Sequence, residues 1–512
     1  MESNGEAISL NPRRWQILGV MSLSLVIVML NNVTLNVALP ELSADLQSEN
    51  NDLQWIVDAY VLVFGGTLLL MGALGDRFGR KRALQIGLIL VACTAGWTGK
   101  YASTTEEVIG ARALMGLGAA LVMPATLSIV IVSFPAEERG KAIGIWAAMA
   151  GIGAPLGLLV GGWAVQEYNW QMVFWINVPV IAIALIAGFF IVPESRDERK
   201  RPLDLIGAFL SIGALTTLLY SIIEAPVVGW TSIETLGMGA ASIVLLIAFV
   251  LRQNRTEYPL LPMEFFRNRS FSVGLVSLSL AFFVMFSFMF TQMLHFQLVR
   301  GHEALAAAIR FLPLPLGLMP AAANSDRLVR RFGRNRVVGF GLSLVTIAMI
   351  IFTTVEVDTE YYRLALIFFL MGMGMGLTMA PATEMVMQSI PSDKAGVGSA
   401  TNDASREIGG ALGIAIGGSL LNEFYQRSFT LPEGLDASMF PVDPSTSFPA
   451  AVNIGKSIGG PLGQELLNVA NSAFVDGMTT SAISFAIIAG SAAIFTLFMM
   501  PPEAIGSSDS EE

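Results

Sequence analysis

Long apolar stretches alternate with short polar segments along nearly the whole chain of 512 residues. Each stretch holds about 20 mainly apolar residues, the length that a helix needs to cross a hydrocarbon core of about 30 Å. The pattern predicts fourteen membrane-spanning helices. They are expected at residues 15–39, 53–74, 83–100, 106–132, 141–164, 173–193, 204–223, 233–251, 271–297, 304–325, 337–355, 363–388, 396–421 and 476–500.

Composition supports an all-α polytopic membrane protein. Hydrophobic residues make up 54% of the chain and charged residues 14%, against about 25% charged residues in soluble proteins. This balance excludes a disordered chain, and the net charge of −10 argues against binding to nucleic acid. With Cys93 as the single cysteine and two histidines, neither a disulfide scaffold nor a metal site is expected.

The basic residues are distributed asymmetrically. If both termini are cytoplasmic, 22 of the 30 Lys and Arg residues fall in cytoplasmic connections, which is the orientation that the positive-inside rule predicts. Five others are external (Lys100, Arg300, Arg363, Arg427 and Lys456), and three lie within predicted spans (Arg112, Arg310 and Arg406). We therefore expect a multi-pass protein of the cell (inner) membrane, in contact with the lipid bilayer.

An internal repeat indicates two related halves. The segment 76–82 recurs as 330–336 with five identical residues of seven, 254 residues later. Glycines spaced by four in the fifth predicted span recur in the thirteenth, 256 residues later. We expect a six-helix bundle at 1–194, two inserted helices with their linkers at 195–270, a second six-helix bundle at 271–502 with a long external loop at 422–475, and an acidic cytoplasmic tail at 503–512.

The repeated segment and its surroundings resemble the major facilitator superfamily, and more narrowly its fourteen-span drug:proton antiporters. Residues 72–82 (GALGDRFGRKR) are similar to the signature loop between the second and third spans. An acid and a basic cluster at a corner between helices can hold two helices together through charged hydrogen bonds. The resemblance implies a conformational latch formed by Gly72, Asp76, Arg77, Gly79 and Arg80, with Arg331 and Arg334 in the second copy.

Two other spans carry the resemblance. Residues 31–40 (NNVTLNVALP) resemble the family's first-span signature, with Asn31 at the place where Asp is usual. Because Asn cannot exchange a proton, Asn31 is a candidate for substrate binding only. The fifth span resembles the antiporter motif through Gly153, Pro155, Gly157, Gly161 and Gly162.

Charges within the predicted spans are candidates for function, because burying a charge in the bilayer costs several kcal/mol. Asp58 and Arg112 lie at similar depths in the second and fourth spans, so Arg112 could tune proton exchange by Asp58 or form a structural pair with it. Asp403, Arg406 and Glu407 share one face of the thirteenth span. Asp58, Arg112, Asp403 and Glu407 are the residues that we predict to couple transport to protons.

The ninth span presents methionines beside phenylalanines at helical spacing, a soft and polarisable surface suited to lipophilic cations. A structural role in the core or against lipid is the alternative. The candidates for substrate binding are Asn31, Tyr60, Met285, Met289, Gln292, Met293, Glu384, Asp403 and Glu407.

These features predict a secondary transporter and not an enzyme, since no nucleotide-binding loop or catalytic constellation occurs. We expect a monomer that exports small lipophilic, preferentially cationic compounds in exchange for protons, with the proton gradient as energy source and no cofactor. An exporter of an endogenous lipid, siderophore or metabolite is the alternative within transport. A membrane receptor or scaffold is the alternative outside it.

Overall fold

The computed structural model describes residues 12–46, 50–197, 202–436, 440 and 443–501. Within these ranges all regular structure is helical. Helices suit a bilayer because each one satisfies its own backbone hydrogen bonds, which water cannot do in hydrocarbon. The predicted acidic tail at 503–512 lies outside the described residues.

The N-terminal half contains six spans, of which the last is divided by a short break. They are α1 (Arg14–Leu46), α2 (Asn50–Phe78), α3 (Arg80–Tyr101), α4 (Thr105–Ser133), α5 (Ala136–Glu167), and α6 (Met172–Trp175) followed by α7 (Asn177–Ile191). Two inserted helices follow, α8 (Leu205–Val228) and α9 (Ile233–Arg255).

The C-terminal half repeats this order with two additional short helices. It consists of α10 (Arg269–Leu294), α11 (Ala304–Ile309), α12 (Pro313–Phe332), α13 (Arg334–Phe352), α14 (Tyr361–Gln388), α15 (Ala395–Ser428), α16 (Phe448–Ile458) and α17 (Gly460–Met499).

Local sequence explains where several helices begin and end. The Thr104 side chain accepts a hydrogen bond from the backbone N–H of Glu107, and the Glu107 side chain accepts one from the backbone N–H of Thr104. The two residues thus form a capping box at the start of α4. At the starts of α8 and α9, the Asp204 and Ser232 side chains accept hydrogen bonds from the backbone N–H groups of Gly207 and Thr235. Gly79 and Gly333, the glycines of the two repeated segments, have φ values of 123° and 85° and turn the chain between consecutive helices. We call the end of the molecule that contains these two turns the basic end.

Thirteen helical segments within the described ranges are long and apolar enough to cross a membrane. The remaining predicted span corresponds to α15, which is 34 residues long but carries Asp403, Arg406 and Glu407. The same pairs of helices pack in each half: α1 on α5, α2 on α4 and α3 on α4 correspond to α10 on α15, α12 on α14 and α13 on α14. The predicted fold of two six-helix bundles plus two inserted helices is therefore confirmed.

The halves meet along two seams. One seam is formed by α2 and α15 and the other by α5 and α12. The inserted helix α8 packs against both α2 and α15, and α9 packs on α8, so this pair covers the first seam. Trp230, in the turn between α8 and α9, donates a hydrogen bond to Ser419 Oγ of α15 at 2.8 Å.

The connection predicted as a loop at 422–475 is mostly helical. Helix α15 continues to Ser428, α16 lies within the connection, and α17 begins at Gly460. One face of α16 is apolar and buried, and there Phe448 stacks on Phe474 with ring centroids 4.3 Å apart. Between the helices, Ser445 donates hydrogen bonds that lower the pKa of the Asp443 carboxyl.

Glycines allow the closest contacts between helices in both halves. On α5, a Cβ atom at Gly157 would lie 3.0 Å from the carbonyl oxygen of Leu30, and one at Gly161 would lie 2.7 Å from that of Thr34. On α15, a Cβ atom at Gly409 would overlap the carbonyl oxygen of Ser279. Because the opposing atoms belong to backbone, they cannot move aside as a flexible side chain can.

We therefore predict that Gly409→Ala destabilises the protein by about 1–3 kcal/mol through overpacking. Gly490→Ala is the matched control, because its new methyl group would meet only Thr346 Cγ2 at 3.6 Å. Thermal melting of both purified variants in detergent checks this prediction. Equal melting temperatures for the two variants would contradict it.

Candidate functional site

Arg112 of α4 is the centre of a polar group in the N-terminal half. Its side chain is 1% exposed, and it donates to the carbonyl oxygens of Ile56 at 3.0 Å and Asn31 at 3.1 Å. The guanidinium carbon lies 4.3 Å from the ring centroid of Tyr60, a cation–π contact. The Tyr60 hydroxyl in turn donates to the carbonyl oxygen of Val28. Arg112 thus joins α1, α2 and α4.

The expected site of Asp58 with Arg112 is not formed, and helix geometry explains why. Arg112 contacts the face of α2 that carries Ile56 and Tyr60. Asp58 lies two residues from each of them, about 200° around the helix, and therefore points the other way. Its Oδ2 atom is buried and has no hydrogen-bond partner among the described residues.

Asp58 instead faces the inserted helix α8. Gln54 lies within hydrogen-bonding reach of Asp58 and donates to Glu224 Oε1 of α8 at 3.5 Å. Beside these groups, the rings of Trp55 and Tyr220 approach to 6.1 Å between centroids. Sequence analysis missed Glu224, although an acid within an apolar inserted helix is itself a signal.

Asn31 is buried and has a hydrogen-bond partner in its own helix. Its Nδ2 atom donates to the carbonyl oxygen of Ile27, four residues earlier, at 3.0 Å. The backbone carbonyl of Asn31, and not the side chain, receives Arg112. The side chain that we predicted to bind substrate thus already has a partner in this conformation.

The second polar group lies on α15 in the C-terminal half. Arg406 Nη1 donates to Asp403 Oδ1 at 3.2 Å, and the two side chains are 4% and 0% exposed. The Arg406 guanidinium carbon lies 4.6 Å from the ring centroid of Phe282 on α10 and 5.7 Å from that of Trp146 on α5. Because α5 belongs to the other half, this group lies where the two halves meet.

Glu407 extends this group towards the N-terminal half. It is half-buried and lies within electrostatic reach of Asp403 and Arg406 on its own helix. It also lies within electrostatic reach of Tyr60 on α2. Tyr60 is therefore near charged groups of both halves, Arg112 and Glu407. The two carboxylates predicted on α15 are together with Arg406, whereas Asp58 is separate from them.

The methionine and phenylalanine stripes of α10 lie mostly in the core of the C-terminal half. Phe286 packs on Gly410 of α15, and Met285 is 9% exposed within the main hydrophobic cluster. Met289 and Met293 are partly buried against the same cluster. Gln292 is fully buried, and its Nε2 atom contacts the sulfur of Met478 on α17.

Glu384 lies away from the other predicted substrate ligands, at the basic end. It is 2% exposed and accepts a hydrogen bond from Gln388 Nε2 at 2.9 Å. A Cβ atom at Gly140 of α5 would lie 2.9 Å from Glu384 Oε2 and 2.8 Å from Asp326 Oδ1. Glu384 therefore belongs to the contact between α5, α12 and α14.

Asp76 connects the two halves at the basic end. Its carboxylate accepts hydrogen bonds from the backbone N–H groups of Gly396 at 2.9 Å and Val397 at 3.1 Å, at the N-terminus of α15. A carboxylate is stabilised there by the unpaired N–H groups and the helix dipole. Arg80 donates two hydrogen bonds to Asp76 Oδ1 at 2.9 and 2.7 Å, and one to the carbonyl oxygen of Ser392 at 2.6 Å.

Gly72 and Gly79 complete this arrangement, whereas Arg77 does not take part in it. A Cβ atom at Gly72 would lie 2.5 Å from the carbonyl oxygen of Gly396. Arg77 lies over the ring of Phe78 at 5.2 Å. In the second copy, Arg331 likewise lies over Phe332, an exposed position.

The second copy of the repeat makes a different contact. Arg330, at the position that corresponds to Asp76, pairs with Asp326 at 3.1 Å and donates to the carbonyl oxygen of Glu137 on α5. Arg334 is buried and donates to Gln388 Oε1 at 2.9 Å. A basic side chain therefore joins the two halves at the α5 and α12 seam, whereas a carboxylate joins them at the α2 and α15 seam.

The antiporter-motif glycines of α5 face two partners. Gly153, Gly157 and Gly161 pack on α1, whereas Gly162 faces Leu305 of the C-terminal half. The side chain of Pro155 lies outside the described residues. Trp146 on the same helix was also missed by sequence analysis, because its role depends on contact with α15, which the sequence of α5 does not reveal.

Known proteins match nearly the whole chain. The family model described as Major Facilitator Superfamily matches residues 21–414. The tetracenomycin C resistance and export protein of Streptomyces glaucescens is 31% identical over 97% of this chain and 94% of its own length. The multidrug efflux pump LfrA of Mycolicibacterium smegmatis is 30% identical over 94% of this chain and 95% of its own length. The methyl viologen resistance protein SmvA of Salmonella typhimurium is 32% identical over 90% of this chain and 93% of its own length.

A solved structure agrees at the level of the fold. The human organic anion transporter MFSD10 (TETRAN) superposes with a TM-score of 0.58, covering 93% of this chain and 100% of that chain at 14% identity. The family match, the relatives and the duplicated helical bundles agree with the motifs found in the sequence. This multi-pass membrane protein belongs to the major facilitator superfamily of transporters.

Proposed function

We propose that the protein exports lipophilic cations in exchange for protons. The observation that carries this proposal is the buried pair of Asp403 and Arg406 with half-buried Glu407 beside it, where Arg406 lies near aromatic rings of both halves. Relatives named for export and for multidrug efflux support it. The substrate class, the coupling ion and the roles of individual residues are parts of the proposal.

The charges of this group explain exchange. Two carboxylates and one guanidinium carry one uncompensated negative charge when all three are ionised. One proton or one monovalent cation neutralises that charge, and a buried site strongly disfavours both an excess and a deficit. A proton and a cationic substrate therefore compete for the same group, which is the basis of antiport.

The rings around the group favour lipophilic cations over hydrated ones. Phe282 and Trp146 offer π faces to a cation in a water-poor environment, where such contacts are worth about 2 kcal/mol or more. An inorganic ion would lose its hydration without gaining enough ligands. An organic cation with apolar surface loses less hydration and gains contact area.

Asp58 is proposed as a second proton acceptor, reached separately from the α15 group. Its buried Oδ2 atom has no hydrogen-bond partner in the described part of the chain, so a proton can be added there without breaking a bond. Glu224 and Gln54 extend this polar group into the inserted helix α8.

Alternating access is proposed to depend on the contacts at the basic end. With the positive-inside orientation this end is cytoplasmic, as are both termini. The hydrogen bonds of Asp76 and Arg80 to α15 close the cytoplasmic side of one seam. Opening towards the cytoplasm requires these bonds to break, and closing re-forms them.

The main test of the proposed function is Glu407→Gln. We expect proton-driven export of ethidium, measured as its uptake into everted vesicles, to fall by about tenfold or more, the effect of losing roughly 1.4 kcal/mol. Glu423→Gln is the matched control, because Glu423 lies on the same helix in an exposed pair with Arg427. Parallel assays with neutral and anionic substrates test the substrate class. Full proton-driven efflux by Glu407→Gln would overturn the role of Glu407.

A second prediction concerns Asp58→Asn. Uphill transport driven by an imposed pH gradient should fall by about tenfold, while downhill exchange of substrate continues, because Asp58 is proposed to accept a proton and not to contact the substrate. Asp476→Asn, an exposed position on α17, is the control. Equal loss of uphill and downhill transport would show that Asp58 acts in binding or folding instead.

A third prediction concerns the latch. Asp76→Asn should open the cytoplasmic side more often, since hydrogen bonds to a charged group contribute about 1.5–3 kcal/mol each. The measurement is thiol labelling of Ala400→Cys in a Cys93→Ser background, because Ala400 is buried beneath the contact of Gly72 with Gly396. Arg77→Gln is the control within the same motif. If both variants label at the wild-type rate, Asp76 does not hold this end closed.

A further inference from the structure

Arg406 occupies the kind of environment that a lipophilic cation requires. Its guanidinium lies near two aromatic rings, pairs with a carboxylate and is 4% exposed. One ring belongs to each half of the molecule, since Phe282 is on α10 and Trp146 is on α5. The Trp146 side chain is fully buried and donates to Thr126 Oγ1 at 3.2 Å, which fixes the indole in place.

The hydrogen bonds of this group are incomplete. Among the described residues, Arg406 Nε, Asp403 Oδ2 and Asn402 Oδ1 are all buried without a partner. Their side chains are 4%, 0% and 0% exposed, so bulk water does not supply the missing bonds. An unpaired buried polar atom is destabilising, because it has lost its hydrogen bonds to water and gained none in return. Arg406 is therefore buried here without the full set of bonds expected of a purely structural arginine.

We propose that Arg406 is an intramolecular competitor of the substrate, which occupies the aromatic cation site when no substrate is bound and leaves it when a lipophilic cation enters. This inference rests on the proposed function and names the residue that sets its selectivity. The ligand class is a monovalent organic cation with apolar substituents. Phe282 and Trp146 contact its charge, and Asp403 and Glu407 balance it.

The charge balance supports displacement over simple addition of the substrate. Arg406 lies within electrostatic reach of both Asp403 and Glu407, so its guanidinium keeps a carboxylate partner after it leaves the rings. With substrate bound, two positive charges then balance two carboxylates. A neutral compound does not replace the positive charge at the rings, and a divalent cation leaves one charge in excess. Selectivity for a single positive charge follows from the groups present.

The test measures equilibrium binding of tetraphenylphosphonium to the purified full-length protein in detergent. Removal of the competitor in Arg406→Gln should tighten binding by about tenfold. Arg406→Lys keeps the charge but loses the planar group that stacks on the rings, so its affinity should lie between those of the wild type and Arg406→Gln. Arg427→Gln, an exposed position on the same helix, should bind like the wild type.

A neutral probe distinguishes the effect of removing the Arg406 charge from the effect of the space that its removal leaves. Triphenylphosphine oxide, which has a similar shape without the positive charge, should gain no affinity in Arg406→Gln. If both probes gain equally, the variant has only made room, and the proposal is overturned. Unchanged or weaker tetraphenylphosphonium binding by a folded Arg406→Gln variant also overturns it.

A double variant covers the case in which Arg406→Gln does not fold because Asp403 is left unpaired. Asp403→Asn/Arg406→Gln buries no unpaired charge at these two positions, and it should bind tetraphenylphosphonium more tightly than Asp403→Asn alone. Equal binding by these two variants rejects the proposal. If the wild type neither binds nor transports organic cations, the proposed function itself fails. Wild-type binding without tightening in the variants rejects only the role of Arg406.

Discussion

The cost of an unpaired charge in a medium with little water governs this structure. Helices satisfy their own backbone, so the remaining constraint falls on the few charged side chains within the spans. Arg112 meets it with two carbonyl oxygens and the Tyr60 ring. Arg406 meets it with Asp403 and two rings. In both places the contacts that satisfy the charge also join helices, so electrostatics and helix packing cannot be separated.

Sequence periodicity was sufficient for the fold and for part of the site. The duplicated segments placed Gly79 and Gly333 at equivalent turns, and the spacing of Asp403, Arg406 and Glu407 placed them together, because both features are local. The environment of Asp58 was not predictable from depth alone, since depth ignores direction around the helix. Asp58 points away from Arg112 because Ile56 and Tyr60, two residues to either side, lie on the face of α2 that Arg112 contacts. That Glu224 lies near Asp58 could not be predicted without knowing where α8 packs.

The two copies of the repeated motif have diverged in charge while keeping their positions. Asp76 accepts a hydrogen bond from the backbone N–H of Gly396 at the N-terminus of α15, whereas Arg330 donates one to a carbonyl oxygen near the N-terminus of α5. The halves are thus related in backbone but not in the chemistry that joins them. Contacts between α5 and α12 differ from those between α2 and α15, and Glu384, buried beside Gly140, has no acidic counterpart 254 to 256 residues earlier, at 128–130 of α4.

The inserted pair α8 and α9 covers the seam of α2 and α15, but among the described helices it leaves the seam of α5 and α12 uncovered. Leu156 on α5 and Leu316 on α12 are 37% and 64% exposed, whereas Gly65 and Gly66 of α2 are packed against α8. Among the described helices, one of the two lines along which the halves meet is therefore exposed at the outer surface and the other is covered. A lipophilic molecule dissolved in the bilayer would therefore reach the boundary between the halves from one side only, at the α5 and α12 seam. The insertion thus makes the two sides of a fold with two similar halves unequal.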